Sequence, residues 1–340
     1  MNTMTKLTAI MLIVIGSMIS ISTQAKIWRV NNFGTAVADF TTAQAAHDGA
    51  SAGDTIYFEG SPTSYGNLLC SKKLILIGTG YFLSNNPETQ PKNLSSTLGK
   101  VFFNPGSANS CIMGCVINSS YDLTITSSNI KLTRNHILLA NGTRILVNGS
   151  FSNILISDNY LFTTIELNTS FTISNVMISN NIFAQTWTGF PYITSGNLSG
   201  CLILNNVFAG GNIGITVYNS QIYNNIMTSG TFTTNNNTYT NNIGSGTQFG
   251  NSNGNQQNVA AADIFMCTAS CTGYSPDGQW QLKALSPAIG AGVGGIDCGA
   301  FGGNTPYVLS GMPNIPAIYY FTNFSSGNQL NVNLKVKSHN

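Results

Sequence analysis

The sequence predicts an all-β protein wound as a parallel β-helix, and three observations carry that expectation. One short phrase returns six times between residues 128 and 244. It reads Ile130-Lys-Leu132-Thr-Arg-Asn135-His-Ile137, then Ile154-Leu-Ile156-Ser-Asp-Asn159-Tyr-Leu161, then Val176-Met-Ile178-Ser-Asn-Asn181-Ile-Phe183, then Cys201-Leu-Ile203-Leu-Asn-Asn206-Val-Phe208. Two weaker copies end at Asn225 and Asn242. The anchoring asparagines are 24, 22, 25, 19 and 17 residues apart, a period of about 21 that marks a solenoid. Between anchors come short β-branched runs such as Arg144-Ile-Leu-Val147, split by Asn141-Gly142 and Asn148-Gly149 turn signals, so each coil holds three short strands.

The chemistry of one copy explains the repeat. Residues two apart in a strand share a face, so Ile130 and Leu132 point to one core. An asparagine then turns the chain, because its short amide tolerates left-handed backbone and bonds to neighbouring peptide groups. Ile137 begins a second inward-facing strand. Stacked coils would place the asparagines in a ladder about 4.8 Å apart, with each amide bonding its neighbours. The same phrase and period fit a leucine-rich repeat. That fold needs backing segments with spaced leucines, whereas these are rich in Thr, Ser, Gly and Asn.

Taken in order, Met1 to Ala25 reads as a signal peptide. Lys6 is the positive end, Leu7 to Ile21 the apolar core and Thr23-Gln-Ala25 the small-residue cleavage site. No later run approaches the roughly 20 apolar residues a spanning helix needs. The expected product is therefore exported, whether secreted, periplasmic or at the cell surface. Phe40 to Ala50 is alanine-rich and compatible with a helix. Gly53-Asp-Thr-Ile-Tyr-Phe58 and Lys72-Lys-Leu-Ile-Leu-Ile77-Gly78 follow, and Gly106 to Ile117 reads as a further rung. Asn85 to Lys100, with two prolines, reads as a loop leaving the solenoid.

With these motifs the chain resembles the pectin-lyase-like right-handed β-helix superfamily, many of whose members open with an alanine-rich capping helix, a Gly-Asp-Thr-Ile strand and a Lys-x-Leu-x-Leu-x-Gly rung. The resemblance implies the right-handed sense and the amino-terminal cap. It extends to Ser286-Pro-Ala-Ile289 and Asp297-Cys-Gly-Ala-Phe301, which are similar to the closing segment of secreted bacterial β-helix proteins, with Cys298 where an aliphatic residue is usual. The expected division is a signal peptide over 1–25, the capped β-helix over 26–305 and a small carboxy-terminal β-unit over 306–340, where Ile318 to Thr322 and Leu330 to Lys337 alternate like strands. The superfamily carries lyases, hydrolases, adhesins and inert shafts, so this likeness implies a fold rather than an activity.

Composition narrows the function. Charged residues make up 7 % of the 340 residues and the net charge is +2, without the clustered basic stripe of a nucleic-acid binder. A hydrophobic content of 42 % with strong patterning argues for a packed core rather than disorder. Of seven cysteines, Cys267 and Cys271 flank a turn and are placed to close on each other. Cys111 and Cys115 sit too far apart in an extended run to bond, and Cys201 occupies a core position. No Cys/His spacing suggests zinc, and no metal or other cofactor is expected.

Candidate chemistry gathers in the middle coils, at Asp122, Lys131, Arg134, His136, Arg144, Asp158 and Glu166. A glycosidase needs two carboxylates facing one cleft, and a polysaccharide lyase needs a basic residue beside acidic groups that hold calcium. Arg134, Asp158 and Glu166 are the candidate catalytic residues, with Asp158 and Glu166 expected on different faces of the coil. Arg134 and Asp158 each precede a ladder asparagine, which also reads as a lateral ion pair at the surface. The long interval from Asn181 to Asn206 contains Trp187, Phe190 and Tyr192, the candidate glycan-stacking rings, although the reading favoured for Trp187 and Phe190 is that they fold back over the coil's own apolar edge. The expected function is an exported, non-catalytic β-helix that binds polysaccharide or a cell-surface glycan, or serves as a structural module. The alternative is a carbohydrate-active enzyme with an atypical site.

Amino-terminal sequencing of exported protein is expected to begin at Lys26; a product beginning at Met1 would contradict the signal-peptide reading.

Overall fold

Every strand of the solenoid bonds in parallel to its counterpart one coil away. Lys131–Thr133 pairs in parallel with Cys111–Met113 on one side and with Ser152–Ser157 on the other. His136–Leu139 and Arg144–Val147, which complete that coil, stack in the same way in two further sheets. The computed structural model describes residues 25–34, 37–186, 189–196, 201–210, 214–268 and 271–339. Among them, three parallel sheets of ten, eight and eight strands run the length of the solenoid. We call them sheet I, which holds the strand before each anchoring asparagine, sheet II, which holds the strand after it, and sheet III. Three strands per coil is the expected parallel β-helix; a leucine-rich repeat has no such second and third sheet.

The asparagine ladder runs through the turn between sheets I and II. Asn135, Asn159, Asn181, Asn206, Asn225 and Asn242 are all buried. Asn181 illustrates the bonding. Its Nδ2 donates to the carbonyls of Ile156 and Ser179 at 2.8 and 3.0 Å and to Asn206 Oδ1 at 3.0 Å. Its Oδ1 accepts the backbone N–H and the Nδ2 of Asn159, both at 3.0 Å. The ladder extends one rung beyond the expected six, because Asn255 accepts from the backbone N–H and Nδ2 of Asn242 at 2.9 and 3.0 Å. At the other end the backbone N–H of Cys115 donates to Asn135 Oδ1 at 3.1 Å.

A second row of asparagines lies at the turn from sheet III back to sheet I. Asn129, Asn153, Asn175, Asn219 and Asn236 all take left-handed backbone, with φ between 51° and 59°, which an asparagine accepts at low cost. Asn153 donates to Asn129 and Asn236 to Asn219, each at 2.7 Å, and Asn175 donates to Asn153. These amides are exposed, so each bond contributes less than a rung of the buried ladder.

Sheet II is apolar on both faces. Ile137, Leu161, Phe183 and Phe208 point into the solenoid. The residues one position earlier, His136, Tyr160, Ile182, Val207, Ile226 and Ile243, stack on the outer face. The coils end near Gly244, and residues 259–312 fold back over that outer face, placing Ile264, Phe265, Ala288, Cys298, Ala300 and Tyr307 against it. We call the part from Ala288 to Met312 the strap. Burying each large aliphatic side chain is worth roughly 1.5–3 kcal/mol, against about 1 kcal/mol for a hydrogen bond, so apolar cover holds the strap in place. Gly299 shows how closely it lies: its φ is +85°, and an added Cβ would fall 2.7 Å from Ile226 Cδ1.

Helix Ala43–Gly49 starts at Thr42, whose Oγ1 accepts from the Ala45 N–H at 3.2 Å. Its buried Ala43, Ala46 and His47 pack beside Ile27–Val30 and Leu68–Cys70, the first strands of sheets I and III. The chain ends in an antiparallel hairpin of Ala317–Ser326 and Gln329–Lys337. Cys267 and Cys271 form a disulfide, while Cys70, Cys115, Cys201 and Cys298 are free and buried and Cys111 is free and half-buried. Residues 1–24 of the expected signal peptide lie outside the described residues.

Replacing Asn181 with Ala removes three donated bonds and leaves the Asn159 amide groups without their acceptor, at an expected cost of about 1–3 kcal/mol. Chemical unfolding measures it, and a loss within error would contradict the ladder's role.

Candidate functional site

The residue before each ladder asparagine has to turn left-handed, which directs its side chain outward from the turn between sheets I and II. Arg134, Asp158, Asn180, Asn205, Asn224 and Asn241 fill this row, with φ between 52° and 58°. Most of these side chains hold the strap. Asn180 Nδ2 donates to the carbonyls of Ala300 and Gly302 at 2.9 and 2.8 Å, and Asn205 Nδ2 donates to Asp297 O at 3.1 Å. Asn224 Oδ1 accepts from the Val293 N–H at 2.8 Å, and Asn241 Nδ2 donates to Ala291 O at 2.7 Å. Arg134 makes the same kind of contact further along, with Nη1 donating to the carbonyls of Met312 and His339 at 2.9 and 2.6 Å.

Asp158 departs from the row. A carboxylate has no hydrogen to give a carbonyl, and the strap stands off from it. The gap is a cavity of about 220 Å³ lined by Thr133, Arg134 and Asp158 on the solenoid and by Asn304, Thr305 and Pro306 on the strap. Asp158 Oδ2 accepts from Thr133 Oγ1 at 3.4 Å. Burial pushes the Asp158 carboxyl up to about 6; hydrogen bonds from Ser157 and Thr133 and the charge of Arg134 pull the other way. Burial also lowers the affinity of Arg134 for its proton, opposed by the charge of Asp158. Among the described residues no ion pair joins the two, and Asp158 is buried. The surface ion pair expected from their spacing is therefore corrected: the guanidinium turns to the carbonyls of Met312 and His339, which lie just outside the two strands of the carboxy-terminal hairpin.

A second cavity, of about 300 Å³, shares Asn304 and Thr305 with the first and continues between the strap and the outer face of sheet I at Ser179, Leu204 and Tyr223. The floor of the combined groove is one register row, Met113, Thr133, Ser157, Ser179, Leu204 and Tyr223. With strands about 4.8 Å apart, these rungs span roughly 24 Å along the axis.

The other candidates lie elsewhere. Glu166 is in sheet III, on the Thr164–Leu167 strand, where its Oε2 accepts from Arg144 Nη1 at 2.5 Å and Asp122 Oδ1 accepts the Arg144 N–H at 2.9 Å. Asp158 and Glu166 thus face different sides of the coil, and the two-carboxylate geometry of glycoside hydrolysis is not formed by them. Phe190 is half-buried and, with Pro191, lines a cavity of about 70 Å³ beside Arg144 and Glu166. Tyr192 is a core residue, packed against Phe183 and Phe208 with ring centroids 5.7 and 5.3 Å away; its ring is not offered to a ligand, because it immediately precedes the inward-facing sheet III strand Ile193–Ser195. Trp187 lies outside the described residues. His136 is half-buried, packed against Tyr81, Phe82 and Tyr160, and desolvation of its ring lowers it to about 4, so it stays neutral. Among the described residues no cluster of three or more His, Cys, Asp or Glu is placed to hold a metal ion.

No protein-family model matches the chain, and no curated protein matches it. Among solved structures, the crystal structure of pectate lyase Pel9A is similar to it at 14 % identity, over 83 % of this chain and 97 % of that one, with a TM-score of 0.33. So distant a likeness bears on neither site nor reaction. The parallel β-helix stands on the strand pairing, which is consistent with the pectin-lyase-like resemblance of the motifs.

The raised Asp158 carboxyl fixes the sign of a pH effect. The folded protein holds this proton more tightly than the unfolded chain, so the stability contributed is present in full below about 4 and lost as pH rises through about 6. Asp158→Asn lacks that loss, and its advantage over the parent in urea unfolding is expected to grow by about 2–3 kcal/mol between about pH 4 and pH 8. A constant difference would contradict the burial of this charge.

Proposed function

We propose that the chain is an exported, non-catalytic β-helix that binds a polar glycan strand in the groove between sheet I and the strap. The observation that carries this reading is Asp158, the member of the outward row that gives the strap no hydrogen bond and opens onto a cavity instead. The groove follows the solenoid axis, suits an extended polymer, and presents a carboxylate, a guanidinium, hydroxyls and amides, the groups that exchange hydrogen bonds with sugar hydroxyls. The amino-terminal signal pattern and the Cys267–Cys271 disulfide support an oxidising destination outside the cytoplasm.

The second reading, a carbohydrate-active enzyme, is favoured by the Asp158 carboxyl at about 6, a value suited to proton transfer near neutrality. One carboxyl group without a partnered acid or base supports binding better than cleavage.

Affinity electrophoresis against a panel of neutral and acidic polysaccharides tests the proposal. Retention by at least one is expected to fall more than tenfold in Thr305→Trp, which fills the wall shared by both cavities, with unfolding unchanged. Phe190→Ala, on sheet III, is expected to leave retention intact. Equal retention by Thr305→Trp and the parent would reject the groove, and oligosaccharides released by the parent but not by Asp158→Asn would establish the enzyme reading.

A further inference from the structure

The carboxy-terminal hairpin is amphipathic, and its apolar face is bare. In its antiparallel register Ile318 faces Val336, Phe321 faces Leu334, Asn323 faces Val332 and Ser325 faces Leu330. The irregularity between Ile318 and Tyr320 puts Ile318 in phase with Phe321, as a β-bulge does. These pairs line one face. Its six large apolar side chains, Ile318, Phe321, Leu330, Val332, Leu334 and Val336, are each between 45 % and 66 % exposed. The opposite face carries Lys335 above the Tyr320 ring, with the Thr322–Asn333 and Phe324–Asn331 pairs. A two-stranded hairpin is at best marginally stable by itself in water, so a ten-residue strand paired with a nine-residue one needs its apolar face covered.

The base of the hairpin is fixed to the solenoid. Lys337 Nζ donates to Glu88 Oε2 at 2.5 Å, and Arg134 holds the His339 carbonyl. The bare face therefore has a set direction, and at its root Ile318 continues into a groove of about 350 Å³ with Ile315, Pro316 and Pro91.

We propose that this face is a homodimer interface, covered by the same face of the hairpin of a second copy in a small four-stranded sandwich. Three observations select that occupant. The face carries no charge, so it meets its own copy about a two-fold axis without repulsion. Both hairpin lysines project from the opposite side, whereas a lipid-binding surface rings its apolar face with basic residues. The area also suffices: half-exposed side chains of this size offer roughly 500–600 Å² per copy, so a pair buries about 1,000 Å² in total, the lower bound for a specific interface. An interface of that size gives a dimer that dissociates on dilution.

Sedimentation equilibrium of the full chain at several concentrations tests the proposal, with vesicle co-sedimentation alongside. The parent chain is expected to move from monomer to dimer mass with concentration. Val332→Lys and Leu334→Lys, on the apolar face, are expected to remain monomeric. Asn331→Lys, on the opposite face of the same strand, adds the same charge and is expected to dimerise like the parent, which separates loss of the interface from loss of the hairpin. A parent that stays monomeric at the highest concentration would overturn the proposal. So would equal weakening by Asn331→Lys and Val332→Lys, or a monomer that sediments with neutral vesicles through this face.

Discussion

The buried amide ladder is the constraint on which the rest of the structure depends. Each ladder asparagine places an amide in an apolar interior, where an unpaired polar group costs roughly 1–3 kcal/mol. That cost vanishes only when every coil sits in register with the next, because Oδ1 of one rung is the acceptor for the backbone and side chain of the rung before it, as in the 3.0 Å bonds from Asn159 to Asn181 and from Asn181 to Asn206. A coil may lengthen or shorten elsewhere, and the intervals vary from 25 residues down to 13. It cannot slip here.

The ladder also fixes its neighbours on both sides. The residue before it has to adopt left-handed backbone and project outward, and the residue after it begins sheet II on the outer face. The first requirement produces the row that ties down the strap; the second produces an apolar ridge that the strap covers. Where the outward row reads Asn from residue 180 onward, Asn180, Asn205 and Asn241 donate to strap carbonyls and Asn224 accepts from the Val293 N–H. Where it reads Asp158, that pairing fails and the groove opens. The candidate site is thus a local interruption of the same bonding that closes the fold.

Much of this was legible in the sequence, because it is local. The phrase around Asn135, Asn159, Asn181 and Asn206 specifies the strand, the turn and the stacking within eight residues. The outer asparagine row at 129, 153, 175, 219 and 236 was missed, since its spacing shows only after the ladder sets the frame. The outward ridge had a visible signal as well: in Ile182-Phe183, Val207-Phe208 and Ile226-Met227 two adjacent apolar residues follow the asparagine, so both faces of that strand must be buried. The strap that covers the outer face bonds to the outward row across 50 to 178 residues of sequence, a separation no local pattern records. For that reason Arg134 and Asp158 read as a surface pair, although the strap buries Asp158 and takes the hydrogen bonds of Arg134. Tyr192 was misplaced for the opposite reason: an aromatic group in a long interval resembles an insertion, but this tyrosine abuts a sheet III strand and turns inward.

Native-state hydrogen exchange at the ladder tests the central claim most directly. The backbone N–H groups of Asn135, Asn159, Asn181, Asn206 and Asn225 each donate to a side-chain oxygen one coil on, an acceptor that exists only while the coils are stacked in register. These five amides are expected to be among the slowest in the chain and to exchange together, through global unfolding. Exchange as fast as that of unstructured peptide, or at independent rates along the row, would show that the ladder does not hold the coils in register.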